Sequence, residues 1–310
     1  MAMQNGVVNK RMIVAIVLFL VVGGVVMIWL RREVFREQPG MIISELDHAQ
    51  KSHVYMTDLN LKETRLLNTD QGNTYLSIAY DNSCENLAAT VSGEEGFLVE
   101  YNMSNNTESI LVSNKEMEGF LEAESIKDDG RPAESVAYCP GGGISFYYCS
   151  HLWLYKDGTC EVIRSVPTDL RNGGSFYKWI DDTTMYISTR SGQLEVINIS
   201  TGVNEVIYDT NTGYYFEFEV LTEGDFIFLD RKKGWYYYDI SENSTRLLYE
   251  TNVANTAHAL SPDNTYIILG ESRQGLTGVT EYRLILLDIQ SGKASVVKNW
   301  TSRILYGIAW

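Results

Sequence analysis

The 310-residue chain is poor in cysteine, proline and basic residues. Four cysteines are too few for a disulfide-stabilised scaffold, and five prolines with 45% hydrophobic residues argue against disorder. Twenty-five lysines and arginines stand against 40 aspartates and glutamates, which gives a formal net charge of −15. Because nucleic acid is itself a polyanion, this balance disfavours nucleic acid as a partner.

The sequence also lacks the compact motifs of known catalytic sites. No H-E-x-x-H zinc motif, Walker loop, G-x-S-x-G nucleophile or C-x-x-C pair occurs. The four histidines are dispersed along the chain, at positions 48, 53, 151 and 258. Asp181, Asp182 and Asp263 fall in predicted turns, where aspartate is an ordinary turn former. We therefore expect no catalytic residue, no metal site and no cofactor.

One long hydrophobic run stands apart from the rest of the chain. Residues 12–30 carry no charge, and at about 1.5 Å per residue they span about 28 Å, one hydrocarbon core. Basic residues flank both ends, and no small-x-small cleavage site follows, which disfavours a cleaved signal peptide. The sequence predicts a tail over 1–11, a transmembrane helix over 12–30, a linker over 31–40 and a folded domain over 41–310.

Charge separates the anchor region from the domain. Residues 1–40 carry five basic and two acidic side chains, a net +3, which leaves −18 for residues 41–310. Positive charge is nearly balanced across the span, so the orientation rests on the short N-terminal tail, which is usual for a signal anchor. We expect the N-terminus inside and the domain on the extracytoplasmic side of the cell membrane.

A repeated hairpin fills the domain. Each copy has a short apolar strand, a turn rich in Asp, Asn, Gly or Ser, and a second apolar strand. A second hairpin of similar design precedes most copies, so each period of about 40 residues holds four strands, A to D, as in a propeller blade. The first type of hairpin occurs at 54–67, 98–112, 152–163, 194–207, 235–249 and 284–297.

The strand count predicts how the propeller closes. The first copy lacks a strand A, whereas residues 304–310 form a lone apolar strand that resembles the A strands elsewhere. A C-terminal strand that joins the N-terminal blade would close the ring and leave no sheet edge open. The predicted fold is an all-β, six-bladed propeller behind one transmembrane helix. An open β-sandwich with extra hairpins is the alternative.

Two turns carry a family resemblance. The segment Ser261-Pro262-Asp263-Asn264, between an inner strand and a second apolar strand, resembles the SPDG turn of TolB-like and WD40-like propeller repeats. The segment Cys139-Pro140-Gly141-Gly142 holds the matching place in blade 3, although the Gly-His and Trp-Asp pairs of true WD40 repeats are absent. The resemblance covers about residues 41–310. It implies a six-bladed propeller of the kind found in cell-envelope proteins and no particular reaction.

Loop lengths predict which face of the propeller binds a ligand. In such a ring the A–B and C–D turns share one face, here called the A–B face, and the B–C turns and D–A crossovers share the B–C face. The longest irregular stretches, 113–134 and 271–282, both fall on the B–C face. Because the linker enters strand B of blade 1 from the A–B end, we expect the B–C face to point away from the membrane. The residues of this predicted ligand-binding face are His151, Arg190, Arg231, Lys232, Lys233 and Arg273.

Two further segments have structural interpretations. His258, on the inner strand of blade 6, is expected to line the central channel, where a lone histidine is usually a structural hydrogen bonder. The acidic segment 115–129 has helical spacing of Met117, Phe120 and Leu121. Since it lacks the EF-hand order of carboxylates, we expect a lid or packed loop there, not a metal site.

The blade map also constrains the cysteines. Cys139 lies beside an A–B turn and Cys149 ends a strand B, so about 16 Å of strand separates them. A disulfide needs Cα atoms within about 7 Å, so no Cys139–Cys149 bond is expected. A pair among Cys84, Cys139 and Cys160, which share the A–B face, stays open.

These features favour a single-pass membrane protein whose propeller binds a protein, peptide or glycan at the cell envelope, as a non-catalytic scaffold or sensor. The alternative is a membrane-tethered hydrolase or lyase, such as a metal-dependent lactonase or a glycosidase, with its site at the channel mouth. Carboxylates that converge with His258 on a cation would favour the enzyme, and an apolar or water-filled channel would favour the binding module.

Overall fold

The computed structural model describes residues 40–310, apart from 48, 50, 60, 62–63, 68–71, 82, 166–175, 190, 211–215, 222–223, 231–232 and 276–277. The chain divides into two units, Met1–Pro39 and Gly40–Trp310. The predicted tail, transmembrane helix and nearly all of the linker lie outside the described residues. Among the helical residues that are described, no segment is both long and apolar enough to cross a membrane.

Residues 40–310 form six four-stranded antiparallel sheets, the blades of a β-propeller. In blades 2 to 6 the strands run in chain order from the innermost, A, to the outermost, D. Neighbouring inner strands contact one another around the ring, which excludes the open β-sandwich. The strands of blades 1 to 3 are β1 (Met41–Leu46), β2 (Ser52–Thr57), β3 (Thr64–Leu66), β4 (Thr74–Tyr80), β5 (Asn86–Ser92), β6 (Gly96–Asn102), β7 (Thr107–Ser113), β8 (Glu134–Tyr138), β9 (Ile144–Tyr148), β10 (His151–Lys156) and β11 (Thr159–Ser165). Those of blades 4 to 6 and the last strand are β12 (Tyr177–Trp179), β13 (Thr184–Ser188), β14 (Gln193–Asn198), β15 (Asn204–Asp209), β16 (Phe218–Val220), β17 (Phe226–Asp230), β18 (Gly234–Asp239), β19 (Ser244–Glu250), β20 (Ala254–Leu260), β21 (Tyr266–Gln274), β22 (Thr280–Asp288), β23 (Ala294–Thr301) and β24 (Ile304–Ala309).

Blade 1 is assembled from two distant parts of the chain. Strand β24 is its innermost strand and pairs antiparallel with β1, which is followed by β2 and β3. Leu305 and Ile308 of β24 are buried with Met41 and Ile43 of β1 and with apolar residues of blade 6. The predicted closure of the ring by the C-terminal strand is confirmed.

The turns form where the sequence predicts them because short polar side chains accept backbone N–H groups. Asp81, Asp181 and Asp263 each accept N–H groups from residues two to five positions further along, in A–B turns. The interpretation of Asp181 and Asp263 as turn formers is confirmed. The same role in C–D turns belongs to Asn102, Asn198, Asp239 and Asp288.

The crossover between β7 and β8 contains a helix, α1 (Asn114–Ala123). Ser113 and Glu116 form a capping box, in which the Ser113 hydroxyl accepts the Glu116 N–H and the Glu116 carboxylate accepts the Ser113 N–H. Met117 and Leu121 are buried against blades 2 and 3, and Phe120 packs beside them. The acidic segment is thus a packed element, as its spacing predicted.

The prediction of an irregular loop over 271–282 is wrong. Strand β21 extends to Gln274 and β22 begins at Thr280, which leaves only 275–279 as the connection. Cross-strand ion pairs stabilise this long hairpin, because Arg283 contacts Glu271 at 2.6 Å and Arg273 contacts Glu281 at 3.0 Å.

All four cysteines are free thiols. Cys139 lies in the A–B turn and Cys149 in the B–C turn of blade 3, at opposite ends of β9. Burial raises the pKa of Cys139 and of Cys160 to about 12. These side chains therefore stay protonated and unreactive at neutral pH.

Candidate functional site

A cavity of about 480 Å³ opens at the A–B end of the central channel. The inner strands or A–B turns of all six blades line it. The lining residues include Tyr80 in blade 2 and Trp310, which directly follows strand β24 of blade 1. We call this cavity the channel mouth. It lies on the face opposite to the one that loop lengths had predicted as the binding face.

The base of the channel mouth holds a cluster of buried charges. His258 lies between two carboxylates, with Nδ1 at 3.3 Å from Glu217 and Nε2 at 3.2 Å from Glu219. The Nζ atom of Lys178 lies 2.9 Å from the Glu219 carboxylate. Asn255 donates its side-chain N–H to Glu217. These five residues are called the His258 cluster.

The local sequence explains how two carboxylates reach the channel. In the segment Phe216-Glu217-Phe218-Glu219, successive side chains alternate between the two faces of an extended chain. Phe216 and Phe218 join an aromatic core between blades 4 and 5, so Glu217 and Glu219 are directed to the other side. Lys178 sits likewise between the inner-strand residues Tyr177 and Trp179.

The charges of the His258 cluster compensate one another. Burial disfavours an imidazolium, yet the two facing carboxylates outweigh it and raise the pKa of His258 to about 9. Burial likewise disfavours the Glu219 carboxylate, but Lys178 and His258 outweigh it and lower the pKa of Glu219. The cluster therefore pairs two basic side chains, His258 and Lys178, with the carboxylates of Glu217 and Glu219.

Some polar atoms of the cluster lack a hydrogen-bond partner among the described residues. They are Oδ1 of Asn255 and both ring nitrogens of His258, whose contacts with the carboxylates are ion pairs outside hydrogen-bond geometry. The Trp235 ring packs edge-on against the imidazole at 5.1 Å between centroids. Buried polar atoms are usually hydrogen-bonded, so these atoms suit water or a ligand in the channel.

Several aromatic side chains in the walls of the channel mouth are held by hydrogen bonds to the protein. The Tyr80 hydroxyl donates to the Gly40 carbonyl at 3.0 Å, and the Tyr138 hydroxyl donates to Glu100 at 2.8 Å. The Trp179 indole donates to Ser145 at 2.8 Å. Since protein partners satisfy their polar atoms, these side chains present the cavity with ring surface.

The described members of the predicted ligand-binding set lie on three different blades. His151, Lys233 and Arg273 belong to the B–C ends of blades 3, 5 and 6. His151 Nδ1 contacts its own blade at 2.6 Å from the Cys149 carbonyl, and the Arg273 guanidinium stacks at 4.0 Å on the Trp300 ring. Lys233 is exposed. The other three, Arg190, Arg231 and Lys232, lie outside the described residues.

The B–C face has a cavity of its own, of about 460 Å³. Beside it, oxygen atoms of Asp128 and Asp129 lie near the sulfur of Cys149, within 4.8 Å of one another. Burial raises the pKa of Cys149 to about 11, and Arg131 contacts Asp129 at 3.7 Å. Because a cysteine binds metal as its thiolate, this group is poorly suited to a metal ion.

Sequence reasoning found His258 and missed its partners. His258 lies on the inner strand of blade 6 and lines the channel mouth. Lys178, Glu217, Glu219 and Asn255 are single residues in apolar strands that no motif marks. The sequence signal that could have identified the charged partners of His258 is a charged residue on or beside an innermost strand, where most side chains are apolar or small.

Comparisons with known proteins support the fold alone. The fold resembles that of a chain in a crystal structure of a nidogen/laminin complex, with 12% identity, a TM-score of 0.62, and coverage of 87% of this chain and 97% of that chain. It also resembles TolB from Acinetobacter baumannii, with 11% identity, a TM-score of 0.57, and coverage of 86% and 67%. No protein-family model matches the sequence, and no curated protein matches it. The chain is a six-bladed propeller structurally similar to these two.

Proposed function

We propose that the protein is a single-pass membrane protein whose propeller binds a protein, peptide or glycan on the extracytoplasmic side of the cell envelope, without catalysis. The observation that carries the proposal is the channel mouth, where all six blades contribute to one cavity. Concave sites that combine aromatic side chains with a few convergent polar groups are typical ligand sites, and the channel mouth has both.

The balance of charge at the base supports binding over catalysis. A metal-dependent lactonase needs carboxylates that are free to bind a cation, whereas Glu219 already has Lys178 and His258 as partners. A glycosidase needs two carboxylates in different protonation states on either side of a bond. Here Glu217 and Glu219 both contact one imidazole.

Anchoring to the membrane is proposed from the sequence, since residues 12–30 have the length and hydrophobicity of a transmembrane helix. The described chain begins at Gly40, whose carbonyl accepts the Tyr80 hydroxyl at the rim of the channel mouth. The polypeptide therefore enters the propeller on the A–B face.

Photo-cross-linking in cells that express the full chain tests the proposal. A benzophenone amino acid placed at Pro262, which is exposed at the rim of the mouth, should capture a specific partner. The same amino acid at Lys233, exposed on the B–C face, is the matched control. Capture only from Lys233 would contradict binding at the mouth, and hydrolysis of ester or glycoside substrates that is lost in Glu219→Gln would contradict the non-catalytic function.

A further inference from the structure

The A–B face is strongly acidic. Eleven described acidic residues lie in or directly flank the A–B and C–D turns, whereas the basic residues described at these positions are Lys156 and Lys293. The reason is local, because many of these turns use aspartate to bind their own backbone. The acidic residues are Asp58, Asp81, Glu85, Asp157, Asp181, Asp182, Asp225, Asp239, Glu242, Asp263 and Asp288.

The turn hydrogen bonds keep this face charged. Backbone and hydroxyl donors hold the pKa of Asp181, Asp239 and Asp288 below its ordinary value. The pKa of Asp81, at the rim of the mouth, is also lowered, since four such bonds outweigh its partial burial. The negative field around the cavity therefore persists well into the acidic pH range.

The channel mouth on this acidic face offers a different environment. Tyr80, Tyr138, Trp179 and Trp310 supply rings, and the side chains of Leu260 and Pro262 add apolar surface. Lys178 reaches the cavity, but Glu219 neutralises it. The site is thus a cavity of about 480 Å³ with aromatic side chains in its walls and charged side chains at its base, on an acidic face of the propeller.

We propose that the channel mouth binds a basic segment of a partner protein, in which lysines or arginines flank one bulky apolar side chain that enters the cavity. This inference rests on the proposed function. Charge complementarity favours this occupant, because the carboxylates of the A–B face attract lysines and arginines and repel an acidic segment. A neutral glycan would make no use of this negative charge.

Fluorescence anisotropy with the full chain in detergent tests the inference. The probe is a labelled nonapeptide in which two Arg-Arg pairs flank a central Trp. In one reference peptide the central Trp is replaced by Gly, and in a second reference peptide each Arg is replaced by Glu. We expect the probe to bind more tightly than both, and to weaken when salt rises from about 50 to about 300 mM.

Two double variants test whether binding of the probe depends on the carboxylates of the A–B face or on the overall negative charge of the protein. Glu85→Gln with Asp182→Asn removes two exposed carboxylates beside the mouth, at side chains that make no turn bond. We expect about fivefold weaker binding of the probe. Glu94→Gln with Glu95→Gln removes the same charge from an exposed B–C turn of blade 2 and should leave the affinity unchanged.

A third variant tests the cavity. Trp310→Ala should remove the preference for the Trp peptide over the Gly peptide while leaving the salt dependence intact. Equal binding of these two peptides by the wild type, or equal losses in the two double variants, would overturn the inference. Capture from Pro262 of a partner whose cross-linked segment is acidic would also overturn it, and the proposed function would stand. Cross-linking of a partner only from Lys233 would contradict both this inference and the proposed function.

Discussion

Removal of the His258 imidazole would leave two buried carboxylates with one fewer cation. Loss of one partner from a buried ion pair typically costs about 3 to 5 kcal/mol. We expect His258→Ala to lower the free energy of unfolding by about 3 kcal/mol, measured by urea denaturation. His151→Ala is the control, and we expect a loss below about 1 kcal/mol because the contacts described for that half-buried ring lie within its own blade. Equal losses would contradict the buried charge network.

The same residues predict how stability depends on pH. The pKa of His258 is raised from 6.5 to about 9, so its contribution is complete below pH 6.5 and is lost as pH rises through about 9. The pKa of Glu219 is lowered from 4.5, so its contribution is present above pH 4.5 and is lost as pH falls through the lowered value. We expect the melting temperature to be highest between about pH 4.5 and pH 6.5 and to decline as pH rises from there to about 9.

The variant His258→Gln isolates the alkaline limb of that profile. A neutral amide cannot gain or lose the proton, so the decline between about pH 6.5 and pH 9 should shrink. The acidic limb should remain. An unchanged alkaline limb would mean that another group governs it.

Single residues were the hardest part of the site to predict from sequence. His258 could be assigned to the channel because an inner strand is recognisable from its place in the repeat. Its charged partners are Lys178 of β12 in blade 4 and Glu217 and Glu219 at the start of blade 5, where β16 begins at Phe218. Nothing local ties them to His258, since only the closed ring brings these strands together.

At the scale of single elements, helix α1 offers two opposed changes. Gly119 is exposed, and a Cβ there would meet nothing within 4 Å, so Gly119→Ala should stabilise the protein by about 1 kcal/mol. Ser113→Ala removes the capping hydroxyl and should destabilise it by about 1 kcal/mol. The double variant should match the wild type in urea denaturation. If Ser113→Ala stabilised the protein, the result would contradict the role of Ser113 as the N-cap of α1.

Elements whose cause is local were predictable. The turns at Asp181 and Asp263 follow from side chains that bind the neighbouring backbone, and α1 follows from its helical spacing. The extended β21–β22 hairpin was missed for the opposite reason. Its length depends on contacts of Glu271 and Glu281 with arginines of the facing strand, and these pairs form only once the register is set.

For the whole molecule, closure of the ring should control stability. Leu305 in β24 is 4% exposed, between blades 1 and 6, so Leu305→Ala should cost about 3 kcal/mol. Leu66 in β3 belongs to the same blade but is 61% exposed, and Leu66→Ala should cost less than about 0.5 kcal/mol. Urea denaturation of both variants makes the comparison. Similar losses would mean that β24 contributes no more than an outer strand.

The architecture was the most predictable level. Six hairpin copies and an incomplete first blade require a lone final strand, and residues 304–310 supply it. The location of the cavity was less predictable, because loop length marked the B–C face, whereas the channel mouth opens on the A–B face. A cavity along the axis depends on how six inner strands taper together, which no single repeat encodes.

The position of β1 has a mechanical consequence. Any tension transmitted from residues 1–39 enters the propeller at Gly40 and runs along β1, which is hydrogen-bonded to β2 on one side and to β24 on the other. Inter-strand hydrogen bonds are perpendicular to the strands, so a pull directed along β1 would load both ladders in shear, and many bonds would share the force at once. In blade 1 the strand that receives the force is therefore held by hydrogen bonds along both of its edges.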